Sequence, residues 1–414
     1  MENIIKIKGG KKLSGEVTIS SSKNAAVAIL PAVVLASEIV KLYDVPHIDD
    51  VHVLIQLLQE LNISVTTVED ALVIDPTDIK NIILDSDNVT KLRASYYFMG
   101  ALLGRFKHVK MLYPGGCNLG PRPIDLHLKG FEALGAKVEV NDGLIEIKAD
   151  KLVGDEIYLD FASVGATINI MLAATFASGR TVIRNAAKEP EIIDLSSMLN
   201  KMGAHIHGAG TSEITIDGVN RLKGCIHDII PDRIEAGTYI IMAAAVGDGI
   251  TIKNVIPQHI EALLSKLEEM GVKMLIGSDN VRVLPIGKLK AVDITTQTFP
   301  GFATDLQQPI SPLLTLADGD SSIGETIYIE RFKHCPELIK MGANIEYSDG
   351  KALIHGPSKL KGANVTVSDL RCGAGLIIAA LMADGETTIN DAYHIFRGYD
   401  HIKEKLRNLG AEIE

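Results

Sequence analysis

The chain has 414 residues, of which 46% are hydrophobic and 22% are charged, a composition typical of globular proteins and unlike that of disordered ones. It carries 41 lysines and arginines against 52 aspartates and glutamates, and the formal net charge of −11 disfavours nonspecific binding to nucleic acid or to an anionic membrane. This length predicts two or three domains with a large core, so neither a metal nor a disulfide is needed for stability.

The four cysteines, Cys117, Cys225, Cys335 and Cys372, include no C-x-x-C pair, so neither a disulfide framework nor a zinc ribbon is expected. The histidines lack metal-binding spacing, and neither a P-loop nor a dinucleotide-binding glycine motif occurs, so no metal or cofactor is expected. No signal peptide is recognisable, and no apolar run approaches the ~20 residues that span a bilayer. These observations predict a cytoplasmic protein with no membrane or nucleic-acid partner.

One pattern recurs along the chain: an amphipathic helix that ends in Leu or Met, then usually a glycine, a small residue and a strand. A degenerate copy at Leu61 is followed by copies at Leu134, Met202, Met270, Met341 and Leu409. Successive copies are 73, 68, 68, 71 and 68 residues apart, and such a fixed period indicates a duplicated structural unit.

A second pattern keeps the same period. Runs rich in Ala, Leu, Ile and Met each precede a short segment that ends in glycine, at Gly179, Gly249, Gly319 and Gly385. A glycine after an apolar helical run predicts a left-handed helix stop. Alternating runs such as residues 364–367 predict strands, so each unit of about seventy residues has the order β-α-β-α-β-β.

The two ends of the chain complement each other in this pattern. The chain stops one strand after its last copy, and residues 4–9 form the strand that follows in the internal copies. We therefore expect the N-terminal strand to complete the sixth unit of an α/β (α+β) protein with six repeats. The predicted domains are residues 21–230 and residues 1–20 with 231–414, three repeats each, with the active site in the cleft between them.

The first predicted helix of each repeat starts with a characteristic residue. These residues are Lys23, Arg93, Ser163, Arg233, Asp305 and Arg371, spaced by 70, 70, 70, 72 and 66 residues. A helix N-terminus attracts anions, and Ser or Asp would suffice for capping alone. Four cations in six equivalent positions therefore indicate a shared anionic ligand, although each cation by itself also fits a solvated side chain.

Arginines add to this set at the predicted starts of the second helices, at Arg122, Arg331 and Arg397. Arginine binds phosphate and carboxylate in a bidentate manner, so a cluster of arginines fits a small polyanion. At Asp305, the carboxylate fits either a helix N-cap or a general base that faces a substrate hydroxyl.

The segment from Tyr113 to Pro123 contains three glycines and three prolines and predicts a shaped loop. Cys117 lies at its tip, close to Arg122 in the sequence. This position suits an activated thiolate or a proton donor, and it equally suits a small residue tolerated in a glycine loop.

Many of these segments occur in the same order in one known family. They are residues 22–26, 92–95, 114–117, 163–167, 185–192, 231–235, 302–305, 331–332, 369–371 and 397–399. The chain resembles, almost end to end, the UDP-N-acetylglucosamine 1-carboxyvinyltransferases, the enolpyruvyl transferases of peptidoglycan synthesis. It departs from the family pattern at Ser21-Ser22 and at Phe161-Ala162. The similar 5-enolpyruvylshikimate-3-phosphate synthases lack the cysteine loop.

The resemblance implies a two-domain inside-out α/β barrel. It also implies transfer of enolpyruvyl from phosphoenolpyruvate to the 3-hydroxyl of UDP-N-acetylglucosamine, with release of phosphate by addition and elimination, in the first committed step of peptidoglycan synthesis. Cys117 would protonate C3 of phosphoenolpyruvate and can bond covalently at C2. Asp305 would accept the proton of the sugar hydroxyl.

The resemblance also assigns binding residues. Those for phosphoenolpyruvate would be Lys23, Asn24, Arg122 and Arg397, of which Lys23 and Arg397 would also be catalytic. Those for the nucleotide sugar would be Arg93, Pro123, Asp125, Leu126, Ser163, Val164, Gly165, Asp305 and Ile327. Supporting residues would be Asp50, Arg233, Arg331 and Arg371. Two alternatives stay open: transfer to shikimate 3-phosphate, and a catalytically silent paralogue that binds a nucleotide sugar.

We expect fosfomycin to add covalently to Cys117, because the resemblance implies a reactive thiol in this loop. Peptide mass spectrometry of the treated protein should find the adduct on the peptide that contains Cys117, and Cys117→Asp should protect the protein. An adduct on another cysteine, or a lack of protection by Cys117→Asp, would contradict the assignment of the loop.

Overall fold

The computed structural model describes residues 3–115, 124–285 and 287–414. These residues form two compact units. The first unit contains residues 21–115 and 124–230, and the second unit contains residues 3–20, 231–285 and 287–414. In the described part of the chain, no helix combines the length and apolar character that a membrane span requires.

The strands are short, and most belong to four-stranded sheets. In chain order they begin with β1 Ile4–Lys8, β2 Leu13–Thr18, β3 Val40–Tyr43, β4 Ser64–Val68, β5 Ala71–Asp75, β6 His108–Leu112, β7 Lys137–Asn141 and β8 Leu144–Lys148. They continue with β9 Glu156–Tyr158, β10 Arg180–Arg184, β11 His205–His207, β12 Glu213–Asp217, β13 Ile226–Asp228, β14 Gly247–Lys253, β15 Met274–Ile276 and β16 Asn280–Val283. The last are β17 Leu289–Lys290, β18 Asp293–Thr295, β19 Ala317–Gly324, β20 Asn344–Ser348, β21 Lys351–Gly356, β22 Asn364–Thr366, β23 Glu386–Asn390 and β24 Glu412–Ile413.

The helices alternate with these strands. In the first unit they are α1 Lys23–Ala32, α2 Asp49–Glu60, α3 Asp87–Lys91, α4 Tyr97–Phe106, α5 Asp125–Ala133, α6 Val164–Ala174 and α7 Pro190–Lys201. In the second unit they are α8 Arg233–Val246, α9 Glu261–Glu269, α10 Gln307–Leu314, α11 Cys335–Lys340, α12 Leu370–Met382, α13 Tyr393–Phe396 and α14 Ile402–Asn408. Short 3-10 helices cover Val33–Leu35, Arg93–Tyr96, Pro257–Ile260 and Thr304–Leu306.

The third repeat shows the structural unit clearly, with the order β9-α6-β10-α7-β11-β12. β9 pairs parallel with β10, β10 pairs antiparallel with β12, and β12 pairs antiparallel with β11. The predicted β-α-β-α-β-β order is thus confirmed in this repeat. The first strand of the repeat is reduced to a single β-bridge between Leu84 and Met111 in the second repeat. In the fifth repeat it is divided into β17 and β18.

The sixth repeat is completed by the N-terminal strand, as predicted. β1 pairs antiparallel with β23, where Ile4 faces Asn390, and with β24, where Ile7 faces Ile413. The first repeat is completed in a similar way from a distant part of the chain, because β13 pairs parallel with β3.

Each unit buries its central helices almost completely. In the first unit α4 packs against α1 and α6, and in the second unit α10 packs against α8 and α12. Helices buried on all sides need apolar residues all round, and α6, α8 and α12 are rich in Ala, Ile, Leu and Met. The strands alternate instead: Ile5 and Ile7 of β1 are buried, and their neighbours face solvent. Central helices with sheets around them confirm the predicted inside-out α/β arrangement of each unit.

The glycines of the first pattern follow the ends of helices in the left-handed conformation, which the sequence prediction did not assign to them. Gly135, Gly203, Gly271, Gly342 and Gly410 have φ values of 92°, 107°, 92°, 99° and 98°. In the degenerate copy Asn62 occupies this position with φ of 64°, because asparagine tolerates the left-handed region better than most residues.

The glycines of the second pattern are not helix stops, which corrects the sequence prediction. α8 ends at Val246 and α10 ends at Leu314, so Gly249 and Gly319 lie inside the following strands β14 and β19. Their φ values of 83° and 122° are positive at the strand entry. Between Gly247 and Ile250 the register of β14 against β2 shifts, and a glycine accommodates this irregularity.

Gly100 lets α4 approach α6 closely, and Gly100→Ala should destabilise the protein. An added Cβ would press against the main-chain oxygen of Asn169 and lie 2.7 Å from its Oδ1. We expect the free energy of unfolding to fall by about 2–3 kcal/mol in denaturant titrations. Gly287→Ala is the control, since its Cβ would meet nothing within 4 Å. Equal stability of the two variants would argue against the tight helix crossing.

Candidate functional site

Asp305 lies in the 3-10 helix Thr304–Leu306 that precedes α10, and its carboxylate does not cap the helix. Oδ1 accepts a hydrogen bond from Nη1 of Arg331 at 2.7 Å. Oδ2 accepts from Nη2 and Nε of Arg371 at 3.1 and 3.3 Å. The structure therefore joins three residues that the sequence analysis predicted separately.

The charges in this cluster are largely withdrawn from solvent. Only 3% of each arginine side chain and 26% of the Asp305 side chain are exposed. Burial raises the pKa of Asp305, but the guanidinium groups of Arg331 and Arg371 outweigh burial and hold the pKa below its usual range. The carboxylate is therefore ionised at neutral pH, and in this arrangement it accepts a proton poorly.

Further contacts hold the two arginines. Arg331 also donates from Nη1 to Oγ1 of Thr304 at 3.0 Å and from Nε to Oε1 of Gln308 at 3.3 Å. The guanidinium carbon of Arg371 lies 5.3 Å from the centroid of the Tyr399 ring, within cation–π range. Thr304 and Gln308 were not predicted as parts of this cluster, although both are close to Asp305 along the chain.

Arg233 is a third positively charged residue near this carboxylate. It starts α8 and also lowers the pKa of Asp305. Its guanidinium carbon lies 5.5 Å from the centroid of the Phe299 ring. Arg233, Asp305, Arg331 and Arg371 thus form one cluster in the second unit.

The helix starts explain why cations can occupy these positions. Ser22 caps α1, Asp232 caps α8 and Asp369 caps α12, each by accepting from backbone N–H groups of the first turn. The cation follows the cap directly at Lys23 and Arg233, and it is the second residue after the cap at Arg371. Because the caps satisfy the helix ends, the cationic side chains need not do so.

Two predicted helix starts are wrong. Arg331 lies in a turn, where its N–H donates to the carbonyl of Tyr328 at 2.9 Å, and α11 begins only at Cys335. Arg397 directly follows the short helix α13, and α14 begins at Ile402. In both cases the arginine lies in a connecting segment.

In the first unit, Lys23 forms an ion pair with Asp50, with 2.9 Å between Nζ and Oδ2. Both side chains are largely buried, at 14% and 4% exposure. The neighbouring Asn24 donates from Nδ2 to Oε1 of Glu191 at 3.4 Å. Glu191 was not predicted as a site residue, although it lies in segment 185–192, one of those that carried the family resemblance.

A second group in the first unit surrounds Arg93. Its guanidinium carbon lies 5.7 Å from the centroid of the Tyr96 ring, and the Tyr96 and His127 ring centroids are 4.8 Å apart. A Cβ at Gly165 would lie 2.8 Å from the Tyr96 hydroxyl oxygen and from Cε1 of His127. The absence of a side chain at Gly165 therefore allows the start of α6, with Ser163 and Val164, to lie against these rings.

The protonation of His127 follows from its partners. The N–H of Gly100 can only donate, so Oδ1 of Asn169 accepts it at 2.8 Å and Nδ2 of Asn169 faces Nδ1 of His127, also at 2.8 Å. Nδ1 must therefore accept, and the proton of the neutral ring lies on Nε2. Burial, assisted by the charge of Arg93, lowers the pKa of His127 to about 3.

The remaining predicted residues that the structure describes lie in several separate segments. Asp125 is exposed and starts α5, followed by the half-buried Leu126. Ile327 lies in the turn after β19. Arg397 is close to His394, whose pKa is lowered by burial and by the charge of Arg397.

The predicted residues Cys117, Arg122 and Pro123 lie outside the described residues. Within ranges 3–115, 124–285 and 287–414, no group of three His, Cys, Asp or Glu side chains could hold a metal ion.

Two solved structures share this architecture. The enolpyruvyl transferase NikO from Streptomyces tendae has a TM-score of 0.91 at 26% identity and covers 100% of this chain and 98% of its own. EPSP synthase from Acinetobacter baumannii has a TM-score of 0.75 at 17% identity, covers 100% of both chains and shows the fold alone. The fold is that of the enolpyruvyl transferases.

Sequence comparison shows which enolpyruvyl transferases the chain is similar to. The family EPSP synthase (3-phosphoshikimate 1-carboxyvinyltransferase) matches residues 7–406. UDP-N-acetylglucosamine 1-carboxyvinyltransferase 2 of Listeria monocytogenes serotype 4b is 56% identical over 407 residues, 98% of this chain and 96% of that protein. The protein of the same name from Staphylococcus aureus strain MRSA252 is 54% identical over 413 residues, 100% of this chain and 98% of that protein. The chain belongs to the EPSP synthase family, and its predicted resemblance to UDP-N-acetylglucosamine 1-carboxyvinyltransferases is confirmed.

His127 should make folding stability depend on pH below about 6.5. Its pKa of about 3 in the folded protein lies below the usual 6.5, so the unfolded chain takes up the proton first. The stability contribution is therefore complete above pH 6.5 and is lost towards pH 3. Between pH 5.5 and 4, wild type should lose about 1.4 kcal/mol per pH unit relative to His127→Gln in denaturant titrations. Parallel pH curves of the two proteins would show that His127 is not held neutral.

Proposed function

We propose that this protein transfers enolpyruvyl from phosphoenolpyruvate to the 3-hydroxyl of UDP-N-acetylglucosamine, with release of phosphate, in peptidoglycan synthesis in the cytoplasm. The observation that carries the proposal is the ionised Asp305 carboxylate held between Arg331 and Arg371, in a chain 56% identical to an enzyme named for this reaction. A proton acceptor surrounded by cations suits addition of a hydroxyl to an anionic substrate.

Asp305 is the proton acceptor in this proposal. In the structure its two guanidinium partners keep its pKa low, so it would accept a proton poorly. An anionic substrate that competes for Arg331 or Arg371 raises the basicity of Asp305. Substrate binding would thus prepare the carboxylate for the step in which the sugar hydroxyl adds to the enolpyruvyl carbon.

Phosphoenolpyruvate carries a phosphate and a carboxylate, and we assign Lys23, Asn24, Arg122 and Arg397 to bind it. Lys23 is oriented by its buried ion pair with Asp50, and this pair fixes the ammonium group before substrate arrives. A cation fixed in this way stabilises charge that develops on the substrate without reorganisation of water.

Cys117 completes the proposed chemistry as the proton donor to C3 of phosphoenolpyruvate, and its thiol can bond covalently at C2. Addition then places the proton on C3 and the sugar oxygen on C2, and elimination removes a C3 proton and releases phosphate. Addition and elimination leave the oxidation states of C2 and C3 of the enolpyruvyl group unchanged, so the proposed reaction requires no redox cofactor.

The nucleotide sugar is assigned to Arg93, Asp125, Leu126, Pro123, the segment 163–165 and Ile327, together with Asp305. In the structure Arg93 and segment 163–165 belong to one group around Tyr96 and His127. The positive charge of Arg93 suits the diphosphate. Arg233 supports the Asp305 cluster.

A second candidate is transfer to shikimate 3-phosphate, because the matching family carries the name of that reaction. The two candidates share phosphoenolpyruvate and phosphate release, and they differ in the acceptor alcohol. The acceptor therefore decides between them.

The test measures phosphate release from phosphoenolpyruvate with UDP-N-acetylglucosamine, with shikimate 3-phosphate, or with neither. We expect release with the nucleotide sugar alone. Asp305→Asn keeps the shape of the side chain and removes the proton acceptor, so it should lower kcat by about 10²–10⁴-fold. The same change at the exposed Asp293 is the matched control and should leave kcat unchanged.

Release with shikimate 3-phosphate in place of the nucleotide sugar would establish the second candidate. Binding of UDP-N-acetylglucosamine without release would identify a silent paralogue. Full activity of Asp305→Asn would show that Asp305 is not the proton acceptor, and it would not contradict the proposed reaction.

A further inference from the structure

Glu325 is a buried carboxylate directly after β19, with 4% of its surface exposed. Among the described residues, four donors give it hydrogen bonds, and all four are neutral. Oε1 accepts from Oγ1 of Thr296 at 2.7 Å and from the backbone N–H groups of Ile327 and Tyr328 at 2.8 and 3.0 Å. Oε2 accepts from Oγ1 of Thr304 at 2.9 Å. The carboxylate thus connects three separate pieces of the second unit.

One of these contacts leads to Asp305. The hydroxyl of Thr304 has a single proton and donates it to Glu325, so a lone pair of its oxygen is left for Nη1 of Arg331 at 3.0 Å. The same Nη1 donates to Asp305 at 2.7 Å. Because the guanidinium of Arg331 can only donate, the Thr304 hydroxyl accepts from it, and Glu325 is the acceptor that takes the hydroxyl proton.

The other contacts lead to the turn after β19. The two backbone N–H groups bound by Glu325 belong to Ile327, which the resemblance assigns to the nucleotide sugar, and to Tyr328. The Tyr328 ring centroid lies 5.7 Å from the guanidinium carbon of Arg331. One carboxylate therefore holds the segment expected at the sugar and orients the partner of the proton acceptor.

We propose that Glu325 is a positioning residue for the transfer reaction: it fixes the backbone at Ile327 and Tyr328 and orients the Thr304 hydroxyl towards Arg331 and Asp305. This inference rests on the proposed function. Glu325 itself touches no reacting atom in this scheme and acts through its neighbours.

A glutamine could not replace this glutamate without reversing a hydrogen bond. Its amide oxygen would have to take the place of Oε1, where three donors converge, and its NH₂ group would then face the Thr304 hydroxyl. Two donors, the amide and Arg331, would converge on that oxygen, and the hydroxyl proton would lose its acceptor. The geometry therefore requires a carboxylate here.

The experiment compares five variants by kcat and KM for UDP-N-acetylglucosamine, measured by phosphate release, together with the midpoint of thermal unfolding. Thr304→Val removes the hydroxyl and Thr304→Ser keeps it. Glu325→Gln replaces one carboxylate oxygen by an NH₂ group. The double variant Glu325→Gln with Thr304→Val tests whether the two changes act on the same hydrogen-bond chain. Thr315→Val is the matched control, because this buried hydroxyl at the end of α10 donates to the Pro312 carbonyl.

Thr304→Val should lower kcat by about 10- to 100-fold with KM within about twofold of wild type, because it misorients Arg331 without touching the sugar segment. Thr304→Ser should retain kcat within about threefold. Glu325→Gln should lower kcat to a similar degree and also raise KM about tenfold. The double variant should have the kcat of Glu325→Gln, since both changes interrupt the same chain. Thr315→Val should change neither constant.

Wild-type kcat in Thr304→Val, or a double variant whose loss is the product of the two single losses, would overturn the inference. If Glu325→Gln unfolds at the assay temperature, the kcat values of Thr304→Val and Thr304→Ser are sufficient to test the inference. Absence of phosphate release by wild type with the nucleotide sugar would instead reject the proposed function, so the two failures are distinguishable.

Discussion

The charge balance around Asp305 is the interaction on which the site of the second unit depends. Two buried guanidinium groups cannot remain in a region of low dielectric without a counter-charge, and a single carboxylate supplies it for both. Asp305 is therefore held ionised and in one orientation, while Arg331 also donates to Thr304 and Gln308. The same arrangement makes the resting carboxylate a poor base, so the proposed proton transfer requires a competing anion that draws a guanidinium away.

The repeat explains how such a cluster can be assembled from distant residues. The first, third, fourth and sixth repeats present a helix start capped by Ser or Asp, and such a cap leaves the next positions available for charged side chains. In the second unit the helix starts bring Arg233, Asp305 and Arg371 together, although 138 residues separate the first from the last. A duplicated fold thus provides equivalent positions that can diverge separately.

The sequence pattern was sufficient to predict the repeat period, the order of elements and the N-terminal strand of the sixth repeat. These features depend on local periodicity and on equivalent spacing. The pattern could not show which side chains meet, since the contact of Asp305 with Arg371 depends on helix packing rather than on their spacing of 66 residues. Arg331 and Arg397 were misplaced because a charged residue before an apolar run resembles a helix start. Glu325 was missed altogether, because next to Gly324 it resembles an exposed turn residue, and only the distant Thr296 and Thr304 reveal that it is buried.

The completion of repeats by distant strands has a consequence for folding. The first repeat needs β13, about 185 residues beyond its partner β3, and the sixth repeat needs β1, almost the whole chain away from β23. During synthesis from the N-terminus, β1 and β2 therefore leave the ribosome long before the strands they pair with, and their sheet edges stay unpaired in the meantime. Closure of these loops costs chain entropy that local contacts do not offset, so the second unit should be the last part of the molecule to become native.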